Sequence, residues 1–478
     1  MQTIADCCDL GSVTIDILPD EVLLEIFDFY MCEFENEDDW ETLSHVCRRW
    51  RYIVFAAPRR LELRLVCTAG TPTREMLDIW PELPILLRWF ARISDEGLDN
   101  VVAALEHNDR VCDILVQDPT DYGWERIVAA MQHPFPILTT LHLWSFDDSE
   151  TGPALPGSLL CGSATSLQSF SLQSISFPSL PNLLLSAPNL VCLRLDDIPP
   201  SGYISSAAMI NGLSSLTKLE ELQIIFRSSQ PRPDQETRRP PPSPRIILPA
   251  LDTFYFEGGS EYLAHIFASI DTPSLQYSQV TFLDLVIFRM SRISSLIDSN
   301  CTKPIEGLDR AHILFNDDFI DITFSSHKRT PGQMSLVVSI QYMGTESFWQ
   351  FRSLTRDHHR SSPTLADHER FDIRQSGDQH LSPLWAARIA NASWLELLCH
   401  FAAVKHLYLS EGVALCLAPA LRGLAGESGV TGLTVLPALQ NLFVERFQQP
   451  GPVREAIGEF VAARRLSGHP VDVQCWVK

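Results

Sequence analysis

A three-point apolar kernel, apolar-x-x-apolar-x-apolar, recurs along this chain and limits its fold more than any other feature. It stands at Val111–Val116, Leu138–Leu143, Leu167–Leu172, Leu190–Leu195, Leu219–Ile224 and Leu251–Phe256. Two later copies are Val404–Leu409 and Leu439–Val444. The middle apolar residue of the first six falls at 114, 141, 170, 193, 222 and 254, so the intervals are 27, 29, 23, 29 and 32. The last two apolar positions of each kernel are two residues apart, which puts them on one face of a strand. Helix-like stretches such as Val101–Glu106 and Trp124–Gln132 lie between kernels. A period in this range predicts short units stacked side by side, each burying its apolar face against the next.

A Pro-x-Leu step leads into several kernels, as at Pro188–Leu190, Pro249–Leu251 and Pro437–Leu439. An ordinary α/β domain with parallel strands would share the helix–strand alternation but not the recurrence of the kernel. The pattern resembles an irregular leucine-rich repeat, without the tidy Asn/Cys position of standard copies. The resemblance implies an α/β solenoid of horseshoe type over residues 101–478. Two stretches interrupt it. Residues 228–249, rich in Pro and Arg, read as a loop, because proline joins neither helix nor ladder readily. Residues 300–380 show only patchy strands, at Phe319–Phe324 and Met334–Ile340. Leu381–His400 and Val453–Arg465 are predicted helices, Gly423–Gly432 a turn region, and Val471–Val477 a final strand.

The front of the chain follows a different rhythm. Residues 1–13 read as a tail. Pro19 suits the first turn of a helix, and Asp20 and Glu21 complement its dipole. Val22, Leu23, Ile26, Phe27 and Tyr30 recur at helical spacing. An acidic loop is expected at residues 32–39. A second continuous helix is expected from Leu43 through Val46, Cys47 and Trp50 to Phe55. So few short helices cannot bury this much apolar surface among themselves. The paired ends, Leu18-Pro19-Asp20-Glu21 with Leu23, Ile26 and Phe27, then Leu43 with Val46–Arg51, resemble the F-box. The acidic stretch Glu33–Asp39 is longer than many F-boxes carry there. The following segment, Pro58–Pro84 with Leu63–Thr68 and Trp80-Pro81, resembles the continuation seen in F-box proteins of mushroom-forming fungi. The expected organisation is a tail (1–13), an F-box (14–62), a connecting segment (63–100) and the repeat body.

In that family the module binds a Skp-type adaptor and, through it, a cullin–RING ubiquitin ligase. The resemblance therefore implies adaptor contacts by Leu18, Pro19, Leu23, Ile26, Phe27, Leu43, Val46 and Trp50. It implies a non-catalytic substrate receptor whose repeats hold a target protein, with an F-box scaffold acting outside ubiquitination as the alternative.

Bulk properties narrow the rest. The net charge is −22, which disfavours the phosphate backbone of nucleic acid as a partner. The charge is uneven. Residues 1–41 hold thirteen Asp and Glu with no Lys or Arg, while 48–64 hold six Arg and one Glu. Twelve cysteines without a C-x-x-C pair fit reduced thiols in a cytoplasmic or nuclear protein. The N-terminus lacks the pattern of a secretory signal, and no apolar run has membrane-spanning length.

No catalytic constellation emerges. Asp357, His358, His359 and His368 lack zinc-site spacing and read as solvated. Cys399-His400 reads as core, and the 423–432 glycines do not fit a dinucleotide-binding pattern. No cofactor is expected. What remains is a binding surface: strand residues flanking the buried kernel positions must face outward. These include Thr140, His142, Trp144, Ser169, Ser171, Arg194, Glu221, Gln223, Tyr255, His406, Tyr408 and Phe443. Trp144, Arg194, Tyr255, Tyr408 and Phe443 are the expected target contacts, since aromatics and Arg dominate binding hot spots.

Overall fold

The computed structural model describes residues 15–34, 39–90, 97–146, 152–228, 245–283, 310–315, 319–325, 335–341, 369–375, 391–399, 401–426, 435–445 and 451–476. The chain forms two compact units, 1–143 with 158–161 and 144–157 with 162–478. The tail, most of the proline-rich stretch and the His-rich stretch 357–368 lie outside the described residues.

The first unit opens with a 3-10 turn, Ile15–Ile17, and three helices: α1 (Asp20–Phe34), α2 (Asp39–Val46) and α3 (Arg48–Ala56). Two expectations change here. Phe34 and Asp39 are helical, so the expected acidic loop 32–39 is helical at both ends, and 35–38 lie outside the described residues. The continuous second helix is broken at Cys47, whose extended backbone (φ −157°, ψ 170°) ends α2. The Cys47 thiol accepts from the Trp50 amide at 3.4 Å, capping α3 in the manner of a serine. Beyond the helices come β1 (Leu65–Cys67), α4 (Thr73–Ile79), β2 (Ile85–Phe90), α5 (Leu98–Leu105), β3 (Val111–Gln117), α6 (Asp121–Ala130) and β4 (Thr140–Trp144). β1, β2 and β3 pair in parallel, Leu65 against Ile85 and Leu87 against Ile114. Residues 63–100, expected as a connecting segment, therefore contribute two strands to the ladder. β2 lacks the kernel spacing, because Ile85, Leu86, Leu87 and Trp89 are all buried and no alternation marks it, while β1 alternates over three residues only.

The second unit carries β5 (Ser169–Gln173), α7 (Leu180–Leu185), β6 (Cys192–Ile198), α8 (Ser206–Leu213), β7 (Glu221–Phe226), β8 (Ile246–Ile247), β9 (Thr253–Gly258), α9 (Ser260–Ser269), β10 (Ile270–Asp271) and β11 (Tyr277–Phe282). It continues with β12 (Arg310–Phe315), β13 (Phe319–Ser325), β14 (Ser335–Gln341) and β15 (Arg370–Gln375). It closes with α10 (Asn391–Cys399), β16 (His406–Leu409), α11 (Glu411–Gly426), β17 (Asn441–Glu445), α12 (Pro452–Leu466) and β18 (Asp472–Trp476). Strand order is β5-β6-β7-β9-β11-β14-β13-β12-β15-β16-β17-β18.

The kernels set the register. Phe170, Leu193, Leu222 and Phe254 stand opposite one another on successive strands, each at most 1% exposed. Leu172, Leu195, Ile224 and Phe256 form the next buried row. Leu407 and Leu442 repeat the arrangement. At each strand entry one carbonyl accepts two amides from the next repeat: Gln168 from Val191 and Cys192, Val191 from Glu220 and Glu221, Glu220 from Asp252 and Thr253. Those bonds fix a common starting line. The helices cover this kernel face with Leu180, Leu183, Leu184, Met209, Leu213, Leu263, Ile266 and Phe267, all buried, and Phe267 meets Phe254 edge-on at 5.2 Å.

The interruption at 300–380 has a topological cause. β13 runs antiparallel to both β12 and β14, a meander inserted into an otherwise parallel ladder. The antiparallel pairing departs from the strand–helix unit of the repeat, so no repeat unit is recognisable there. Within the expected loop 228–249, Ile246 and Ile247 form β8, which pairs with Ile270 and Asp271 of β10. Gly423 and Gly426, expected in a turn, lie in α11, where buried Val413, Leu417, Leu421 and Leu424 give the helix its face. Cys399, expected in the core, is exposed at the end of α10.

Leu193→Ala should destabilise the second unit by about 2–5 kcal/mol, since it removes a fully buried side chain from a ladder that cannot collapse around the gap. Urea unfolding followed by circular dichroism reads the loss directly.

Candidate functional site

Two surfaces concentrate side chains that could recognise another molecule, one in each unit.

In the first unit the helical module divides its apolar residues by periodicity. Leu23, Phe27 and Leu43 are buried. Trp50 is half-buried, its ring 4.7 Å from that of Phe27. Trp40, which the sequence reading passed over, is fully buried. Its indole N–H donates to the Arg64 carbonyl at 2.8 Å, and its ring meets Trp80 edge-on at 5.3 Å. The signal was present, since Trp40 precedes Leu43 by one helical step. These residues shape the module from inside. Of the eight expected adaptor contacts, Ile26 and Val46 stand exposed together with Pro19, while Leu18 and Trp50 are partly covered.

The outward set is larger than expected. Ile17, Val22, Ile26, Phe29 and Val46 are between 40 and 70% exposed. Val22, Ile26 and Phe29 share one face of α1 at helical spacing. Arg49 anchors the entry to that face: its guanidinium donates to the Asp20 carboxylate at 2.9 and 2.6 Å and to the Leu18 carbonyl at 2.6 Å. Arg51 donates to the Ser44 carbonyl near the end of α2 at 2.9 Å. Arg60 pairs with Glu25. Arg48, Arg51, Tyr52 and Phe55 line a shallow depression along α3.

In the second unit the outward side chains of the sheet form two clusters. The first spans β5 to β11. Trp144 donates its indole N–H to Ser171 at 3.3 Å, which covers that serine; Ser171 was expected to be an open surface position. Arg194 makes a two-pronged pair with Glu221, at 2.8 and 2.9 Å. Gln223 donates to Asp196. Tyr255 and Tyr277 lie 5.2 Å apart. Burial raises the carboxyl of Glu257, and the negative Asp197 raises it further. Burial pushes Asp197 the same way, but hydrogen bonds from Arg227 and Ser174 outweigh it and leave that carboxyl below its ordinary range.

The second cluster spans β12 to β18. Tyr408 and Phe443, opposite each other in register, stack at 4.3 Å with an interplanar angle of 7°. Trp476 meets Tyr408 edge-on at 6.2 Å. The Arg370 guanidinium sits 3.9 Å over the Tyr408 ring, and that of Arg374 sits 4.8 Å over Trp476. Between the two arginines, the nearly buried Asp372 accepts from Arg370 at 2.9 and 3.1 Å and from Arg374 at 3.2 Å. Arg310 and His312 face Arg370 and Asp372 from β12. Burial makes His312 harder to protonate, and the charges of Arg374 and Arg370 add to that.

Of the five expected target contacts, Tyr408 and Phe443 come together, while Trp144, Arg194 and Tyr255 belong to the other cluster. Sequence reading missed Arg370, Asp372, Arg374 and Trp476. The signal was the alternation Arg-x-Asp-x-Arg at 370–374, hidden in a stretch without a recognisable repeat.

Residues 15–58 match the F-box-like family model. No curated protein matches the chain. Among solved structures the chain is similar to the leucine-rich repeat-containing protein LegL7 from Legionella pneumophila. The identity is 12%, the match covers 85% of this chain and 97% of that one, and the TM-score is 0.26. At that score the likeness carries no further argument. The chain thus has an F-box-like domain at its helical front, followed by a parallel-strand repeat region of mixed α/β character.

Trp40→Phe should cost about 1–3 kcal/mol, because it keeps one aromatic ring but removes the N–H-bearing ring and leaves the Arg64 carbonyl without its donor. Thermal melting of the variant measures it. A second test uses pH. The carboxyl of Glu257 is raised in the folded state, so its stabilising contribution is full below the unfolded carboxylate pKa and is lost as pH rises through the folded value. Glu257→Gln should flatten that part of the stability–pH curve, which urea titrations between about pH 4 and pH 8 would follow.

Proposed function

We propose that this protein is a non-catalytic substrate receptor of a Skp–cullin–F-box ubiquitin ligase. Its F-box-like module docks a Skp-type adaptor and, through it, a cullin. Its repeat region holds a target protein in the cytoplasm or nucleus, and the ubiquitin-transfer chemistry belongs to partner subunits.

The observation that carries this reading is the exposed ridge Ile17, Val22, Ile26, Phe29 and Val46 on a module that matches the F-box-like model. A contiguous apolar patch rimmed by polar groups marks an interaction site. On the same module Arg48, Arg51 and Tyr52 line a depression along α3, and such polar groups suit an interface that joins an apolar centre to a charged edge. In this arrangement Leu23, Phe27 and Leu43 act from behind the ridge by holding α1 against α2 and α3. Pro19 and Leu18 are positioned by the Arg49 bonds at the head of α1.

The double variant Ile26→Asp with Val46→Asp should weaken adaptor capture by about 100-fold or more, since central apolar anchors each contribute about 2 kcal/mol and a buried carboxylate adds a penalty. Leu466→Asp, at a 90% exposed site in the repeat region, should leave capture unchanged. Co-purification of the full chain with a Skp-type adaptor decides between these outcomes. Retained capture by the double variant would refute the docking surface.

A further inference from the structure

The Arg370–Asp372–Arg374 triad and the aromatic stack beside it lie in the second unit, outside the helical module proposed to dock the adaptor. The triad sits on the outward face of β15. Register places Arg370 beside His406 and Asp372 beside Tyr408 on β16. Phe443 lies one strand further on β17. Trp476 reaches in from β18, with its indole N–H bonded to the Leu409 carbonyl at 3.1 Å. That bond holds the ring, so the wall of the site is built into the fold.

We propose that this face binds an extended acidic segment of a partner protein, in which Asp or Glu carboxylates flank an aromatic or aliphatic side chain. The proposal deepens the receptor reading and rests on it for the identity of the partner as a target.

The chemistry favours this occupant for three reasons. First, Arg370, Arg374 and Asp372 together carry one net positive charge, and Arg310 stands in register beside Arg370. In a chain of net charge −22, this concentration of arginine attracts carboxylates that most of the surface repels. Second, both guanidiniums lie over aromatic rings and are held by Asp372, so little side-chain freedom is lost when a carboxylate arrives. Third, the parallel rings of Tyr408 and Phe443, both half-buried, offer an apolar plate next to the charge. A single surplus charge on the triad matches a carboxylate better than a doubly charged phosphate. Among the described carboxylates on this face, Asp321 of β13 lies in register two strands from Arg374 and already has a partner, while Glu445 accepts from the Glu411 amide at 3.3 Å and Asp472 from the Gln474 side chain at 2.7 Å. Glu445 and Asp472 lie two and three strands from the triad, roughly 10 and 14 Å at ordinary strand spacing, where salt screens them.

The test uses the full chain and a fluorescein-labelled probe peptide, Glu-Glu-Phe-Glu-Glu, with binding read by fluorescence anisotropy. The acidic peptide should bind, and its affinity should fall as salt is raised. The Lys and Gln analogues should not bind. Arg374→Gln should weaken binding about tenfold, the scale of one charge-assisted hydrogen bond. Tyr408→Ser with Phe443→Ser should make the Phe of the probe irrelevant, so that Glu-Glu-Ala-Glu-Glu then binds equally. Arg454→Gln, the same charge change on the exposed surface of α12, should have no effect, and unchanged thermal melting of each variant excludes unfolding. Binding of the Lys analogue, or equal loss with Arg454→Gln, would overturn the site. A probe with phosphoserine in place of the glutamates that binds more than tenfold tighter would overturn the carboxylate assignment. No adaptor is present in the assay. Its failure therefore leaves adaptor docking standing, and failed adaptor capture leaves this result standing.

Discussion

The second unit depends on the in-register stacking of its apolar kernels. Phe170, Leu193, Leu222 and Phe254 occupy equivalent places on neighbouring parallel strands, and each is closed off from water. Because side chains alternate along a strand, burying these residues sends their neighbours outward. A slip of one residue would expose the whole kernel, so the register has a steep energetic preference. The paired amide bonds at each strand entry reinforce it. Every candidate recognition residue on the sheet, from Arg194 to Phe443, inherits its position from that constraint.

The helical front obeys the same logic at a different period. Leu23 and Phe27 are one helical turn apart and point inward, with Trp40 and Trp50 packed among the helices. Val22, Ile26 and Phe29 are offset by a fraction of a turn and point out. The module therefore spends its large aromatics on its own cohesion and leaves aliphatic and phenyl groups as its face. The Arg49 bonds to Asp20 and to the Leu18 carbonyl tie the first turn of α1 to α3, so the exposed ridge sits on a fixed support.

Charge changes sign along the outward face of the second unit. On β6, β7 and β9 it carries Asp196, Asp197, Glu221 and Glu257, with the Arg194 and Arg227 pairs compensating part of it. On β12 and β15 it carries Arg310, Arg370 and Arg374, with Asp372 offsetting one of them. A negative sheet face with an arginine-rich stretch beside it selects partners by repulsion as well as attraction, since an acidic segment is steered away from the first stretch and toward the second.

Local pattern was enough to read the repeat, its buried rows, the helical module and its resemblance to the F-box. Each rests on spacing along the chain, and spacing of apolar residues is what burial acts on. The same pattern could not divide the apolar residues of the module into core and face. Leu23 and Ile26 look alike in sequence, and only the placement of α2 and α3 buries one and exposes the other. Nor could it find β1, which is only three residues long, β2, which is buried without alternation, or the break at Cys47, where a thiol cap outweighs a continuous helical pattern. The antiparallel meander β12–β14 hid the remainder. It brings Arg310, far along the chain, next to Arg370, and β16 to β18 then set Tyr408, Phe443 and Trp476 beside the same arginines. Local periodicity determines which residues are buried within an element. Which elements become neighbours is decided by long-range pairing, and the composition of the basic aromatic face follows from that pairing alone.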